Sequence, residues 1–196
     1  MWEISKEFAC CYGHRVYNQL LNTDYCGNDN KAKCRHIHGH EGLVRVHLSG
    51  TELTDRGMIT DFKHLGWFKD FIDNSIDHKF IIDKNDPMFT ALVADPYTVS
   101  SGQPDITYDS VTVVDSTLSE LVVGKTLRLN NIPLGTPVYE VLEGYFIVNF
   151  VPTSENLAKW LFDIISFKMK PLEIKVSCVE FHETPKSCAR YYGPTV

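Results

Sequence analysis

From its first residues the chain alternates. Trp2, Ile4 and Phe8 share one parity while Glu3, Ser5 and Glu7 take the other, so "WEISKEFACC" predicts a strand with one apolar face. A polar, Asn- and Gly-rich run, "NTDYCGNDNKAKCR", reads as a loop. Alternation resumes in "HIHGHEGLVRVHLSG", where His36, His38, His40, Val44, Val46 and Leu48 all occupy even positions. Side chains two apart on a strand point the same way, so the histidines share a face with the apolar residues that follow.

The period then changes. "GMITDFKHLGWFKDFIDNSIDH" predicts a helix from about residue 62, with Asp61 as N-cap and a stripe of Leu65, Phe68, Phe71, Ile72 and Ile76. A second helix follows in "PTSENLAKWLFDIISFKMKP". Thr153 or Ser154 caps it, Glu155 sits in its positive first turn, Pro171 ends it, and Leu157, Trp160, Leu161 and Ile164 form its buried stripe. "LEIKVSCVEFHET" predicts a strand with Val179, Phe181 and Glu183 on one face and Val176, Cys178 and Glu180 on the other, and a short strand follows near "ARYYG". Strands grouped at both ends with helices between them imply an α+β domain, helices on one face of an antiparallel sheet.

The stretch from about 85 to 149 differs. It is rich in Thr, Val and turn residues and predicts one or two hairpins. Residues 93–145 hold seven acidic and two basic side chains, whereas the rest of the chain holds 18 acidic and 17 basic. The acidity is thus concentrated in this segment, which reads as an insertion into one domain spanning 1–196.

Composition narrows the classes. A chain of 196 residues that is 43% hydrophobic and 22% charged is an ordinary globular protein. Its longest apolar runs, "YFIVNFV" and "WLFDII", are too short to cross a bilayer, and no export signal opens it. A formal charge of -6 argues against nucleic acid as a partner. Cys10, Cys11, Cys26, Cys34, Cys178 and Cys188 are irregularly spaced, which favours reduced thiols in the cytoplasm over a disulfide framework.

Several residues have chemistry to offer. His38 and His40 place two imidazoles on one strand face, suited to a shared cation or else to a polar strand start. His14, at the end of the first strand, is either a third ligand or a loop histidine. Cys34, four residues before His38, is a thiolate base or an idle loop thiol. Asp77 beside His78 suits a proton relay, and adjacent pairs of this kind also occur at helix ends. Glu183, on the core-facing parity, needs a partner: a planar ligand with adjacent N–H donors, or a plain salt bridge.

Taken together, "EFACCYGHRV", "CRHIHGH", "GMITDFKHL", "IDHKFI", "PTSENLAKWLF" and "FHET" resemble the 6-pyruvoyl-tetrahydropterin synthase / 6-carboxytetrahydropterin synthase family, in the family's order and over about two-thirds of the chain. The resemblance implies that His14, His38 and His40 hold zinc and that Cys34 is the catalytic thiol. It makes Asp77 and His78 the relay, and Glu183 the anchor of the pterin ring. Thr153, Ser154 and Glu155 fall where the family contacts pterin, and Arg15 either meets the substrate's triphosphate or is a surface arginine. The implied architecture is the tunnelling fold, a four-stranded antiparallel sheet with two helices between the second and third strands. Its subunits form trimers or hexamers with sites at subunit interfaces. Cys34 lies four residues before the HGH motif, which resembles the bacterial carboxy-tetrahydropterin branch. That branch turns 7,8-dihydroneopterin triphosphate into 6-carboxy-5,6,7,8-tetrahydropterin, acetaldehyde and triphosphate, on the way to queuosine and other 7-deazaguanines. A pyruvoyl-type synthase and a non-enzymatic zinc-containing pterin or purine binder are the alternatives. Two departures stand out: His14 follows Phe8 by six residues, implying a bulge or a longer strand end, and the segment 85–149 is long for the bacterial enzymes.

Overall fold

A computed structural model describes residues 1–94, 107–130 and 132–194. Strands β1 (Trp2–His14) and β2 (His38–Gly50) form the central pair, antiparallel and in unbroken register from Trp2 opposite Gly50 to His14 opposite His38. No bulge intervenes. Of the two expectations raised by the spacing of Phe8 and His14, the longer strand is the one found, because six residues preserve parity as well as four do.

Helix α1 (Gly66–Ser75) is entered through a 3-10 turn, Phe62–Leu65, whose cap Asp61 accepts the Lys63 N–H at 2.8 Å. Strand β3 (Lys79–Asp83) follows, then the hairpin β4 (Tyr108–Val114) and β5 (Glu120–Leu127). Helix α2 (Pro137–Glu143) leads to β6 (Tyr145–Val148). Helix α3 (Ser154–Met169) is capped by Thr153, and β7 (Lys175–Thr184) and β8 (Ser187–Tyr191) close the chain. One of the expected hairpins is thus present, and the part of the strand-rich run at 95–106 lies outside the described residues.

The sheet has eight strands in the order β4-β5-β6-β3-β1-β2-β7-β8. The four-stranded antiparallel unit expected from the sequence is β1-β2-β7-β8, with α1 and α3 between β2 and β7. The sheet as a whole departs from that expectation, because β3 runs parallel to β1 and β6 parallel to β3, making it mixed. The physical cause lies at His78. Its backbone takes a left-handed turn (φ 57°), which ends the helical stretch and starts a strand where the periodicity had suggested more helix. The apolar run "YFIV" becomes a strand buried on both faces. Phe146 and Val148 join the main core, while Tyr145 and Ile147 join a second cluster with Ile82, Leu127 and Leu142 of α2.

The main core lies between one sheet face and the helices α1 and α3. Phe8, Cys10 and Tyr12, then Val44, Val46 and Leu48, then Val179 and Phe181 meet Leu65, Phe68, Ile72, Leu157 and Leu161. Val176 belongs to this core too, against the expectation that it shares a face with Cys178 and Glu180. His47 pairs with Cys178 but Leu48 pairs with Val176, so Ser177 is an extra residue and the bulge switches the parity. The opposite sheet face carries charged side chains. No helix among the described residues is long and apolar enough to cross a membrane.

Candidate active site

The register of β1 on β2 builds the first half of the site. His14 and His38 are direct cross-strand partners, and His40 lies two residues further along the same face. One donor atom from each ring lies within 4.8 Å of the other two. The chain also orients the rings. His14 Nδ1 is 2.6 Å from the Pro152 carbonyl, and His38 Nδ1 is 2.8 Å from the His36 carbonyl. A carbonyl only accepts, so Nδ1 carries the hydrogen in both rings and Nε2 is left with a lone pair. His36 therefore contributes its backbone; its ring lies outside β2.

All three Nε2 atoms are buried without a hydrogen-bond partner. Orphaned buried acceptors are rare in folded proteins, and three of them converging is the donor set of a cation site. Burial favours the neutral form of two of the three rings. Burial pushes His14, which is 0% exposed, down to about 4, against the Pro152 carbonyl and with help from His38 and His40. Burial likewise lowers His40, opposed by Glu183. Neutral imidazole is the form that binds zinc.

Glu183 arrives from β7. Its Oε1 lies 3.4 Å from His14 Nε2 and 3.6 Å from His40 Nε2, with the side chain 24% exposed, at the mouth of the triad. Tyr12, which sequence reasoning did not single out, completes this wall. Its ring packs against those of His14 and His40, with centroids 5.2 and 5.7 Å away, and its buried hydroxyl has no partner. Burial and the Glu183 carboxylate both raise its pKa. The available signal was parity, since Tyr12 sits two residues before His14 on the same strand face. Pro152 was missed too, although "PTSE" was noted: the carbonyl just before Thr153, Ser154 and Glu155 is what ties the start of α3 to His14.

The remaining candidates divide. Cys34 lies in a 3-10 turn and is tethered beside the end of β1, its carbonyl accepting the Val16 N–H at 2.7 Å and its N–H donating to Gln19 Oε1 at 3.0 Å. Asp77 and His78 do form a pair, Oδ2 to Nδ1 at 2.8 Å. Asp77 is itself held, because its Oδ1 accepts the Cys11 N–H at 2.6 Å; that bond first, and then His78, lowers its pKa against the opposing effect of burial. The His78 side chain is 81% exposed and opens on a cavity of about 700 Å³ that wraps the end of the β1–β2 pair, lined by Cys11, Gly13, Gly39 and Glu41 and also by Tyr12, His38 and His40. Cys11, Gly13, Gly39 and Glu41 have the parity opposite to the histidine triad. One chain thus brings the triad and Glu183 together, while the Asp77–His78 pair makes no hydrogen bond or ion pair with any of them among the described residues. Arg15, a candidate for triphosphate, has its Nε 3.0 Å from Asp86 Oδ2, a carboxylate at the end of the β3 segment.

Comparison with known proteins identifies the family and the fold. The family model for 6-pyruvoyl tetrahydropterin synthase matches residues 3–194. The chain is 29% identical to the 6-carboxy-5,6,7,8-tetrahydropterin synthase of Aquifex aeolicus, covering 97% of each protein. It is 25% identical to the Haemophilus influenzae protein of the same name, covering 97% of this chain and 99% of that one. Among solved structures, an uncharacterized protein from Wolinella succinogenes is 44% identical and superposes with a TM-score of 0.81 over 98% of each chain. The 6-pyruvoyl tetrahydropterin synthase of Caenorhabditis elegans, 17% identical with a TM-score of 0.51 over 98% of this chain and 96% of that one, shares the fold. With its family motifs in place from end to end, the chain belongs to the 6-pyruvoyl tetrahydropterin synthase family, the pterin-processing lyases.

Proposed function

We propose that the protein is a zinc-dependent lyase that converts 7,8-dihydroneopterin triphosphate and water to 6-carboxy-5,6,7,8-tetrahydropterin, acetaldehyde and triphosphate. The observation that carries this reading is the convergence of three buried, unpartnered imidazole nitrogens, of His14, His38 and His40, beside the Glu183 carboxylate. The names of the Aquifex and Haemophilus relatives support the carboxy product, as does the spacing of Cys34 from His38.

Each residue has a role in this reading. His14, His38 and His40 hold zinc, which supplies Lewis acidity to the oxygens of the substrate's side chain. Glu183, an acceptor at the mouth, takes the adjacent N–H donors of the amino-pyrimidinone edge. Thr153, Ser154 and Glu155, at the start of the helix whose preceding carbonyl holds His14, line the ring's other side. Cys34 removes and returns a side-chain proton as a thiolate. His78, oriented by Asp77, holds the second proton. Arg15 keeps the entrance to the 85–149 insertion docked on the end of β1 through Asp86, which leaves it little freedom to meet the triphosphate.

In this reading a second copy of the chain completes each site, and the working form is a homo-oligomer, a trimer or a hexamer; the absence of a bond between the exposed His78 and its own triad among the described residues supports it. A cytoplasmic location suits the six cysteines, all free. Incubation of the metal-loaded protein with dihydroneopterin triphosphate tests the reaction: acetaldehyde and the carboxy-pterin are expected. A pyruvoyl-pterin without acetaldehyde would assign the protein to the pyruvoyl branch. Bound pterin without turnover would make it a binding module.

A further inference from the structure

The sheet face turned away from the helices carries a second group of ligating side chains. Glu180 and His182 lie two residues apart on β7, and Cys188 on β8 is the direct cross-strand partner of His182. This repeats the construction of the histidine triad, a pair two residues apart on one strand with a third donor opposite on the next, on the other side of the sheet. One donor atom from each of Glu180, His182 and Cys188 lies within 4.8 Å of the other two. His182 Nε2 is 2.8 Å and Cys188 Sγ 3.8 Å from the same oxygen, Glu180 Oε2.

The surroundings leave room for a cation. His47 Nε2 is 3.0 Å from Glu180 Oε1, while its Nδ1 is 3.1 Å from Glu3 Oε1. Carboxylate oxygens accept only, so a neutral His47 ring satisfies one of these neighbours and leaves the other facing a lone pair. Arg190 Nε is 3.1 Å from Oε1 and Arg45 Nη1 is 3.2 Å from Oε2, but Arg45 also grips Glu7, with its Nε at 2.8 Å. Glu3, Glu7 and Glu180 thus face Arg45 and Arg190, three carboxylates to two guanidiniums. The Glu180 side chain is only 6% exposed, so water does little to compensate.

We propose that Glu180, His182 and Cys188 form a second cation site, for a borderline-soft divalent ion of the zinc class. A thiolate, an imidazole and a carboxylate select such an ion over magnesium or calcium, which prefer oxygen alone. Arg45 keeps its hold on Glu7 when the ion takes Glu180 Oε2. His182 Nε2 and Cys188 Sγ both direct a hydrogen at Glu180 Oε2, so an ion that takes their place expels the thiol proton and leaves the imidazole hydrogen on Nδ1. Ligands on both strands clasp the terminal hairpin. Glu183 follows His182 directly on the clasped arm, so the ion steadies the carboxylate that stands at the mouth of the triad on the opposite face.

Cobalt substitution of the full-length protein tests the site, because a thiolate–cobalt charge-transfer band arises only where a cysteine is a ligand and the histidine triad has none. The unmutated protein is expected to show the band and to hold about two divalent ions per chain after dialysis. Cys188→Ser is expected to abolish the band and lower the content to about one, His182→Gln to lower the content likewise, and Cys34→Ser to change neither. Far-UV circular dichroism confirms that each variant is folded. A band that is absent from the unmutated protein or that survives Cys188→Ser overturns the proposal. So does a metal content that neither Cys188→Ser nor His182→Gln alters.

Discussion

Glu180 is a buried carboxylate held by several donors, and its removal has a calculable cost. Burial alone would raise the carboxyl, but hydrogen bonds from Arg190, His182 and His47 override it and bring it down to about 2 from an ordinary 4.5. In the unfolded chain it titrates near the ordinary value. The group therefore adds stability above pH 4.5, and that contribution fades as acid takes the pH down through about 2. At roughly 1.4 kcal/mol per unit, the full contribution is roughly 3 kcal/mol at neutral pH and roughly 1.5 kcal/mol at about pH 3. Glu180→Gln removes the titration and keeps the shape. Urea unfolding in the presence of chelator, which takes any bound ion out of the comparison, is expected to show the variant less stable by roughly 3 kcal/mol at neutral pH, with the gap halved near pH 3. A gap that stays constant between about pH 3 and pH 7 would refute the reasoning, since a shifted carboxylate has to lose its advantage where it gains its proton.

Three further outcomes follow from the geometry. Cys34→Ala and His78→Ala are each expected to lower kcat by about a hundred-fold to ten-thousand-fold with KM within a few-fold, in steady-state assays of acetaldehyde release; a KM effect alone would reassign them to binding. His14→Ala is expected to bring the zinc held by the triad well below one ion per chain by metal analysis, and to lose the change in melting temperature that chelator produces in the unmutated protein. Gly124→Ala would drive a Cβ into the Phe146 ring, so urea unfolding is expected to show a loss of about 1–3 kcal/mol, and an unchanged midpoint would show that the ring can move aside freely.

The parts of the site that were legible in the sequence are those carried by strand parity. His38, His40 and Glu183 were readable because regular strands repeat every two residues, and His14 because an even offset from Phe8 keeps it on the same face. What parity could not reveal came from breaks in it. Ser177 shifts the inward set on β7, so Val176 was assigned to the wrong face. The left-handed backbone at His78 ends a helical pattern that Ile76 had seemed to extend, which hid β3, and with it the parallel half of the sheet. "YFIV" has no alternation because both of its faces are covered, and one of the covers is α2, a helix in the stretch where the sequence predicted only hairpins. Long-range partners such as the Pro152 carbonyl for His14 leave no local pattern at all.

The separation of the triad from the relay makes a sharper demand than the inactivity of single variants. If Cys34 and the triad of one copy work with Asp77 and His78 of another, then Cys34→Ala and His78→Ala, each inactive alone, damage different contributors to a shared site. In oligomers reassembled at random from equal amounts of the two, a site needs an intact Cys34 from one chain and an intact His78 from the next. Each condition is met half the time, so about a quarter of the sites should be whole. Unmixed variants, and variants mixed without dissociation and reassembly, provide the background. Recovery of about a quarter of the unmutated rate would place the relay in trans. Recovery of none, with mixed oligomers demonstrated by tagging one of the chains, would mean that His78 swings around the end of β1 to its own triad. It would have to do so while its backbone N–H stays bonded to the Cys11 carbonyl at 2.6 Å and its ring to Asp77 at 2.8 Å. Those two bonds are the physical reason to expect the quarter.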